Sequence, residues 1–504
     1  MPVKTISFSA ALMASLVAVS ACQAQEESVA APVEASSYAD ATWDRARAEA
    51  EARLANRPRL QEARNVILFI ADGMSISTIT AARIFDGQSR GESGVENLLS
   101  FEDFPNAALV RTYDATQQVP DSAATATALV TGVKTRTGAI SLTRDQFVDA
   151  CAADANVPAT LMELAEERGL STGVISTARI THATPATLYA HSISRNWEND
   201  SELPAYATRL GCEDIASQLI SFDNGDGMEL ALGGGRGNFL PQDAGGRRTD
   251  GRDLTAEWQA MGRDYVSDAE GFRALDPEDG APVLGLFTNS HLSYEADRDT
   301  AEEPSLAELT AFAIDRLSRN EEGYFLMVEA GRVDHAHHGS NAYRALTDMQ
   351  AYDAAIAVAL ERIDLEDTLI LVTADHGHTF EIAGYPVRGN PILGLVRSAN
   401  PLEPGSDSFL SLDQGGQPYT TLGYLNGPNA AASDDEALTE ERVLDPDFRQ
   451  RSTVSLYSET HSGTDVALFA NGPRAHYFAG SMEQNTVFHL IVAAYGWGVS
   501  DSED

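Results

Sequence analysis

The chain has 504 residues, with 35 basic against 75 acidic side chains, a formal net charge of -40 and 43% hydrophobic content. That composition supports a sizeable core and excludes wholesale disorder. So negative a surface repels nucleic acid and anionic membranes, which excludes a DNA-binding or lipid-surface role, and any phosphate site needs strong local positive charge.

The N-terminus reads as an export signal. Lys4 supplies a positive end, Ile6 to Val19 is a short, mostly apolar run, and small residues follow. The run is too short to span a bilayer, and no other stretch is long and apolar enough. Val19-Ser20-Ala21-Cys22 matches a bacterial lipoprotein box that would lipidate Cys22, with plain cleavage after Ala21 or Ala24 as the alternative. Either route delivers the mature chain to the periplasm or the exterior. Cys151 and Cys212 then remain as an even pair in an oxidising compartment, and one disulfide is expected.

Residues 1–22 are thus a signal segment, and 23–60 hold a flexible, Ala/Ser/Glu-rich lead and an amphipathic helix over Ala39 to Leu54. From Asn65 the character changes. Val66 to Ile70 is a continuous apolar run, the mark of a strand buried on both faces of a parallel sheet. Thr172 to Ser176, Tyr324 to Val328 and Thr368 to Val372 repeat that mark, and helical spacing over Leu161 to Arg168 and Leu306 to Leu317 precedes two of them. The alternation predicts an α/β fold: a doubly wound, mostly parallel central sheet flanked by helices, with its core over 61–383 and 456–504. Between about Gly384 and Ser455 the pattern lapses into Gly, Pro, Asn, Asp and Ser, which predicts a surface insertion or small subdomain rather than a second core. No internal repeat is present.

Chemistry-bearing residues follow the buried strands. The first ends in Asp72-Gly73-Met74, another in Glu329-Ala330-Gly331-Arg332-Val333-Asp334-His335-Ala336-His337-His338, and a third in Asp375-His376-Gly377-His378. Ligand crevices of open α/β sheets lie beyond the carboxyl ends of the strands, so these carboxylates and imidazoles converge on one edge. Hard oxygens with several imidazoles suit zinc, with magnesium or manganese at all-oxygen positions. Ser122, in Pro120-Asp121-Ser122-Ala123-Ala124, opens an Ala-rich helix. By itself it reads either as an N-cap or as a nucleophile placed where backbone N–H groups favour phosphate. Thr184 offers a hydroxyl to a hard cation, and the planar fork of Arg195 suits two phosphate oxygens, although a lone arginine there also reads as a surface residue.

The segments around Asp72, Ser122, His182 to Arg195, Glu329 to His338, Asp375-His376 and Glu459-Thr460-His461-Ser462-Gly463 resemble the alkaline phosphatases from about residue 61 to about 495. The likeness is nearer to the animal enzymes than to the best-known bacterial form, because His182 and His335 stand where that form has Asp and Lys. Cys151 and Cys212 also fall where the animal enzymes form a disulfide. The resemblance implies one zinc held by Asp334, His338 and His461. It implies a second zinc on Asp72, Asp375 and His376 within reach of Ser122, and magnesium on Asp72, Thr184 and Glu329. It further implies hydrolysis of small phosphate monoesters through phosphoserine at Ser122, with Arg195, His182 and His335 around the phosphate. The region 384–455 would be a crown-like insertion, and the N-terminal helix an arm embracing the second subunit of a homodimer. Two departures stand out. Gly233-Gly234-Gly235-Arg236 lacks the acidic residue that serves calcium in animal members, and Thr288, beside Phe287, stands where another acidic ligand is expected. A phosphodiesterase of the same superfamily would carry Thr as nucleophile and lack the third metal set, and a decayed, non-catalytic relative would lack ligands that are all present here.

Overall fold

The computed structural model describes residues 41–151, 155–400, 402, 405, 407–429 and 437–498. The signal run, Cys22 and the lead-in therefore lie outside the described residues. The helix expected over Ala39 to Leu54 spans Ala41–Ala55, and none of its residues is buried. It belongs to a unit ending at Asn56, and the chain from Arg57 onward forms a second compact unit.

That second unit is built on a ten-stranded sheet. In chain order its strands are β1 (Asn65–Ala71), β2 (Asn106–Arg111), β3 (Ser171–Arg179), β4 (Leu230–Gly234), β5 (Asp264–Val266), β6 (Val283–Leu286), β7 (Tyr324–Ala330), β8 (Thr368–Thr373), β9 (Val466–Asn471) and β10 (Gly480–Glu483). The spatial order is β10-β2-β9-β8-β1-β7-β3-β4-β6-β5. Only β9 runs antiparallel to its neighbours. The four strands legible as apolar runs, β8, β1, β7 and β3, are the adjacent central ones, in register from Val66 opposite Phe325 and Leu369. Every residue of β1, β7 and β8 is buried, which is why these segments read as unbroken hydrophobic runs.

Helices cover the sheet faces. Leu306–Leu317 starts at a capping box between Ser305 and Glu308 and packs against Ala342–Arg362. Leu161–Glu166 starts at a similar box, Thr160 with Glu163, and stops two residues short of the expected Arg168 because the chain turns at Gly169, whose φ is +74°. Cys151 and Cys212, 61 residues apart, are joined in a disulfide. The insertion pairs Leu422–Gly427 with Phe380–Ile382 and Ser452–Ser455 in a three-stranded sheet. It also carries a small apolar cluster of its own, Leu395, Leu438, Val443 and Phe448, beneath its loops.

At the amino end of β3, opposite the strand ends that carry the motifs, Glu166 is 2% exposed and accepts from Thr172 Oγ1. Burial, then the charges of Glu229 and Asp226, push its carboxyl from 4.5 up to about 8. A folded-state value above the unfolded one means that Glu166 stays protonated in the fold while the unfolded chain ionises. Stability is therefore lost as pH rises from about 4.5 through about 8. Glu166→Gln is expected to raise stability at pH 9 by on the order of 2 kcal/mol and to change little at pH 4.5, as denaturant unfolding at the two pH values will show.

Candidate active site

The central strands deliver their carboxyl ends to one place. Asp72 follows β1, Glu329 lies near the end of β7, Asp375 follows β8, and β3 leads through Thr181 to His182 and Thr184. Asp72, Glu329, Asp375 and His376 are fully buried, and Asp334 is 3% exposed. Gly73 makes this convergence possible. Its φ is +77°, a Cβ there would stand 2.4 Å from the ring of His378, and its N–H donates to Asp375 Oδ1 at 3.1 Å.

In the helix Ser122–Thr131 the cap is Asp121 rather than Ser122. Asp121 accepts from the Ala124 N–H at 3.1 Å, so Ser122 is the first helical residue and its hydroxyl is not used for capping. Instead Ser122 Oγ lies 3.0 Å from His376 Nε2 and 3.5 Å from Asp72 Oδ1. His376 Nε2 is in turn 3.4 Å from Asp72 Oδ1 and 3.3 Å from Asp375 Oδ2. A tetrahedral cation with bonds near 2.0–2.1 Å holds its donors about 3.3 Å apart, so these spacings fit one.

A second donor set has the same spacing. His338 Nε2 and His461 Nε2 are 3.2 Å apart and lie 3.4 and 3.3 Å from Asp334 Oδ1. Each imidazole gives its Nδ1–H to a backbone carbonyl, His338 to Glu459 at 2.6 Å and His461 to Pro120 at 2.8 Å, which leaves the Nε2 lone pairs facing Asp334. The rings of His376 and His461 stack at 3.5 Å, so the two sets are neighbours.

A third set is marked by unsatisfied atoms. Asp72 Oδ2, Thr184 Oγ1 and Glu329 Oε1 are all buried without a hydrogen-bond partner among the described residues. Buried polar atoms without partners are uncommon, and their concentration at the expected ligand positions is what a cation-binding centre requires. His182 lies with Asp72 and Glu329, their ligand atoms within 4.8 Å of one another. Its Nε2 also accepts from Arg195 Nη2 at 3.1 Å, while Arg195 Nη1 pairs with Asp121 at 3.2 Å. His335 stands one layer further out, with its ring 5.4 Å from His182 and its Nδ1 3.2 Å from Arg332 Nη1.

The electrostatics agree. Burial, then the charges of Asp375, Asp334 and Glu329, raises the Asp72 carboxyl well above its usual range, and burial with Asp375 and Asp334 carries Glu329 up to about 8. Burial would also raise Asp334, but the neighbouring His338 and the hydrogen bond from His378 hold it well below. Burial and His461 hold His376 neutral, the form that ligates metals.

Residues unassigned from sequence complete the site. Ser176 Oγ donates to Glu329, and Thr125 Oγ1 reaches Asp375 Oδ2 at 3.5 Å. His291 packs 4.1 Å from His335 and lies 2.5 Å from Arg179 Nη1. His378, buried between Glu459 and Asp334, has both ring nitrogens facing carboxylates, and the Glu459 charge carries it up to about 10 against the effect of burial. Both of its nitrogens are taken up by these carboxylates. The His378 position was visible in its motif; the others lie on segments without a motif.

A family model described as alkaline phosphatase matches residues 63–496. The chain belongs to the alkaline phosphatase family. It is 38% identical over 472 residues to the tissue-nonspecific alkaline phosphatase of Gallus gallus, covering 89% of this chain and 88% of that protein. To the membrane-bound alkaline phosphatase of Bombyx mori it is 39% identical over 453 residues, covering 86% and 80%. Among solved structures, the alkaline phosphatase of Thermus thermophilus aligns with a TM-score of 0.63 at 25% identity, over 88% of this chain and 94% of that one. The cold-active enzyme of a Shewanella species aligns at 0.60 and 25%, over 86% and 99%. The large, mostly parallel sheet is the fold of this family, and the buried donor sets accord with the family's dependence on metals.

Without cations, the raised carboxyls of Asp72, Asp375 and Glu329 favour the protonated fold, so a metal-free sample loses stability as pH rises through about 8. Bound cations favour the ionised carboxylates and reverse that trend. The rise in melting temperature on adding zinc and magnesium to chelator-treated protein is therefore expected to be larger at pH 9 than at pH 6.

Proposed function

We propose that the protein is an exported alkaline phosphatase that hydrolyses small phosphate monoesters to alcohol and inorganic phosphate through a phosphoserine at Ser122. One observation carries the reading: Ser122 Oγ, released from capping by Asp121, points into a buried set of carboxylates and imidazoles.

The donor sets fit two zinc ions and one magnesium ion. Asp334, His338 and His461 would hold the first zinc, Asp72, Asp375 and His376 the second beside Ser122, and the oxygens of Asp72, Thr184 and Glu329 the magnesium. When bound, these cations supply Lewis acidity and concentrated positive charge, which lower the pKa of a hydroxyl or water and offset the charge of the phosphoryl group.

The chain's own residues do the rest. The helix beginning at Ser122 presents its N-terminal N–H groups and dipole to the phosphoryl oxygens. Arg195 is held for a two-oxygen grip by Asp121 on one nitrogen and His182 on another. Asp121 is itself fixed by the N–H groups of Ala124 and Gly138, each at 3.1 Å. Ser122 Oγ forms its bond to phosphorus as the bond to the alcohol oxygen breaks, and the hydroxyl proton ends on the departing alcohol. Water then adds to phosphorus, the Ser122 Oγ–phosphorus bond breaks, and a proton returns to Ser122 as phosphate leaves.

Export is supported by the Lys4 and Ile6–Val19 run and by the Cys151–Cys212 disulfide, with lipidation at Cys22 or plain cleavage as its two forms. The family likeness supports a homodimer with Ala41–Ala55 as the arm, and the charge of -40 weighs against nucleic-acid binding.

Hydrolysis of p-nitrophenyl phosphate at alkaline pH is expected to vanish on chelation and return with zinc and magnesium. No activity from folded protein under any metal condition overturns the reading. Ser122→Ala is expected to lower kcat by on the order of ten-thousandfold or more while the protein still binds phosphate. Arg195→Ala should lower kcat/KM by roughly 100-fold, measured with the same substrate.

A further inference from the structure

Glu459 is 1% exposed and holds no cation in the assignment above, so its burial needs another explanation. Its side chain is fully engaged. Oε1 accepts from the Thr379 N–H at 2.7 Å and from Thr379 Oγ1 at 2.5 Å, and Oε2 pairs with His378 Nδ1. The opposite nitrogen, His378 Nε2, sits 2.7 Å from Asp334 Oδ1. The backbone of the same residue is engaged as well. The Glu459 N–H donates to the His338 carbonyl at 3.0 Å, and its carbonyl accepts from His338 Nδ1 at 2.6 Å. Two residues on, His461 pairs with His378 across a short antiparallel bridge.

Glu459 thus touches every member of one donor set: Asp334 through His378, His338 through its own backbone, and His461 through two peptide units. We propose that Glu459 is a positioning residue for the Asp334–His338–His461 zinc site, its carboxylate locking His378 so that His378 holds Asp334 in the ligating orientation. This rests on the zinc reading above. The cluster His338, His378 and Glu459 has the spacing of a metal group. It is not a fourth site, because both His378 nitrogens and both Glu459 oxygens are already committed and His338 Nε2 faces the other way, toward His461. Loss of a group that directly orients a metal ligand typically weakens metal affinity by about 10- to 100-fold, and the Glu459 carboxylate, one step further out through His378, belongs at the low end of that range.

The test titrates metal-free protein with Zn2+ alone against a chromophoric chelator. His461→Ala first identifies which binding step belongs to this site; if it removes none, the zinc assignment itself falls. If it removes one, Glu459→Gln, which keeps the shape and the backbone contacts, is expected to weaken that same step by about 10-fold and leave the other steps unchanged. In a His378→Gln background, Glu459→Gln is expected to add less than about twofold, because its effect runs through His378. Wild-type zinc affinity in Glu459→Gln, or a fully additive loss in the double variant, overturns the positioning role. Should Glu459→Gln fail to fold without metal, Glu459→Asp keeps the charge at a shorter reach. It is expected to weaken the same step, and an unchanged step overturns the proposal.

Discussion

Four carboxylates, Asp72, Glu329, Asp334 and Asp375, are buried together at the ends of adjacent strands in a protein that is already strongly acidic. Such crowding is unfavourable unless positive charge is built in beside it. The structure supplies some of that charge from His378 and Arg195. The remainder is written into the unsatisfied atoms: Asp72 Oδ2, Glu329 Oε1 and Thr184 Oγ1 have no hydrogen-bond partner among the described residues. The fold is arranged around a demand for cations, and the same cations make the site attractive to phosphate on a molecule whose surface repels it.

The central strands carry this load from the interior of the sheet. β8, β1, β7 and β3 each have a hydrogen-bonded neighbour on both sides, so the side chains at their carboxyl ends are set by the register of the whole sheet. Ser122 depends on a different device. One acidic residue, Asp121, caps the helix, braces Arg195 and accepts from Gly138, and so links Ser122 to Arg195. The support continues outward: Ser176 steadies Glu329, Thr379 steadies Glu459, and His378 joins Glu459 to Asp334.

Much of this was legible in the chain because burial on both faces leaves a simple trace. β1, β7 and β8 are unbroken apolar runs, and each is followed by its chemical residues within a few positions. The outer strands left weaker traces. β2 alternates buried and exposed residues, β4 ends in two glycines, and β5 has three residues, so none carries a run long enough to stand out. The satellite cluster in the insertion draws Leu395, Leu438, Val443 and Phe448 from separated positions, which periodicity does not register.

The sequence by itself determined the α/β character, the central strands and the types of residue that hold cations, since these follow from local hydrophobic runs and the chemistry of short motifs. Two matters belonged to tertiary structure alone. Asp121 took the cap locally through the Ala124 N–H, but whether the freed Ser122 hydroxyl faced the site depended on His376 and Asp72 coming within its reach. Whether His378 was a ligand or a support depended on Glu459, 81 residues away, meeting its other nitrogen. Contacts between distant segments assign such roles, and no local pattern encodes them.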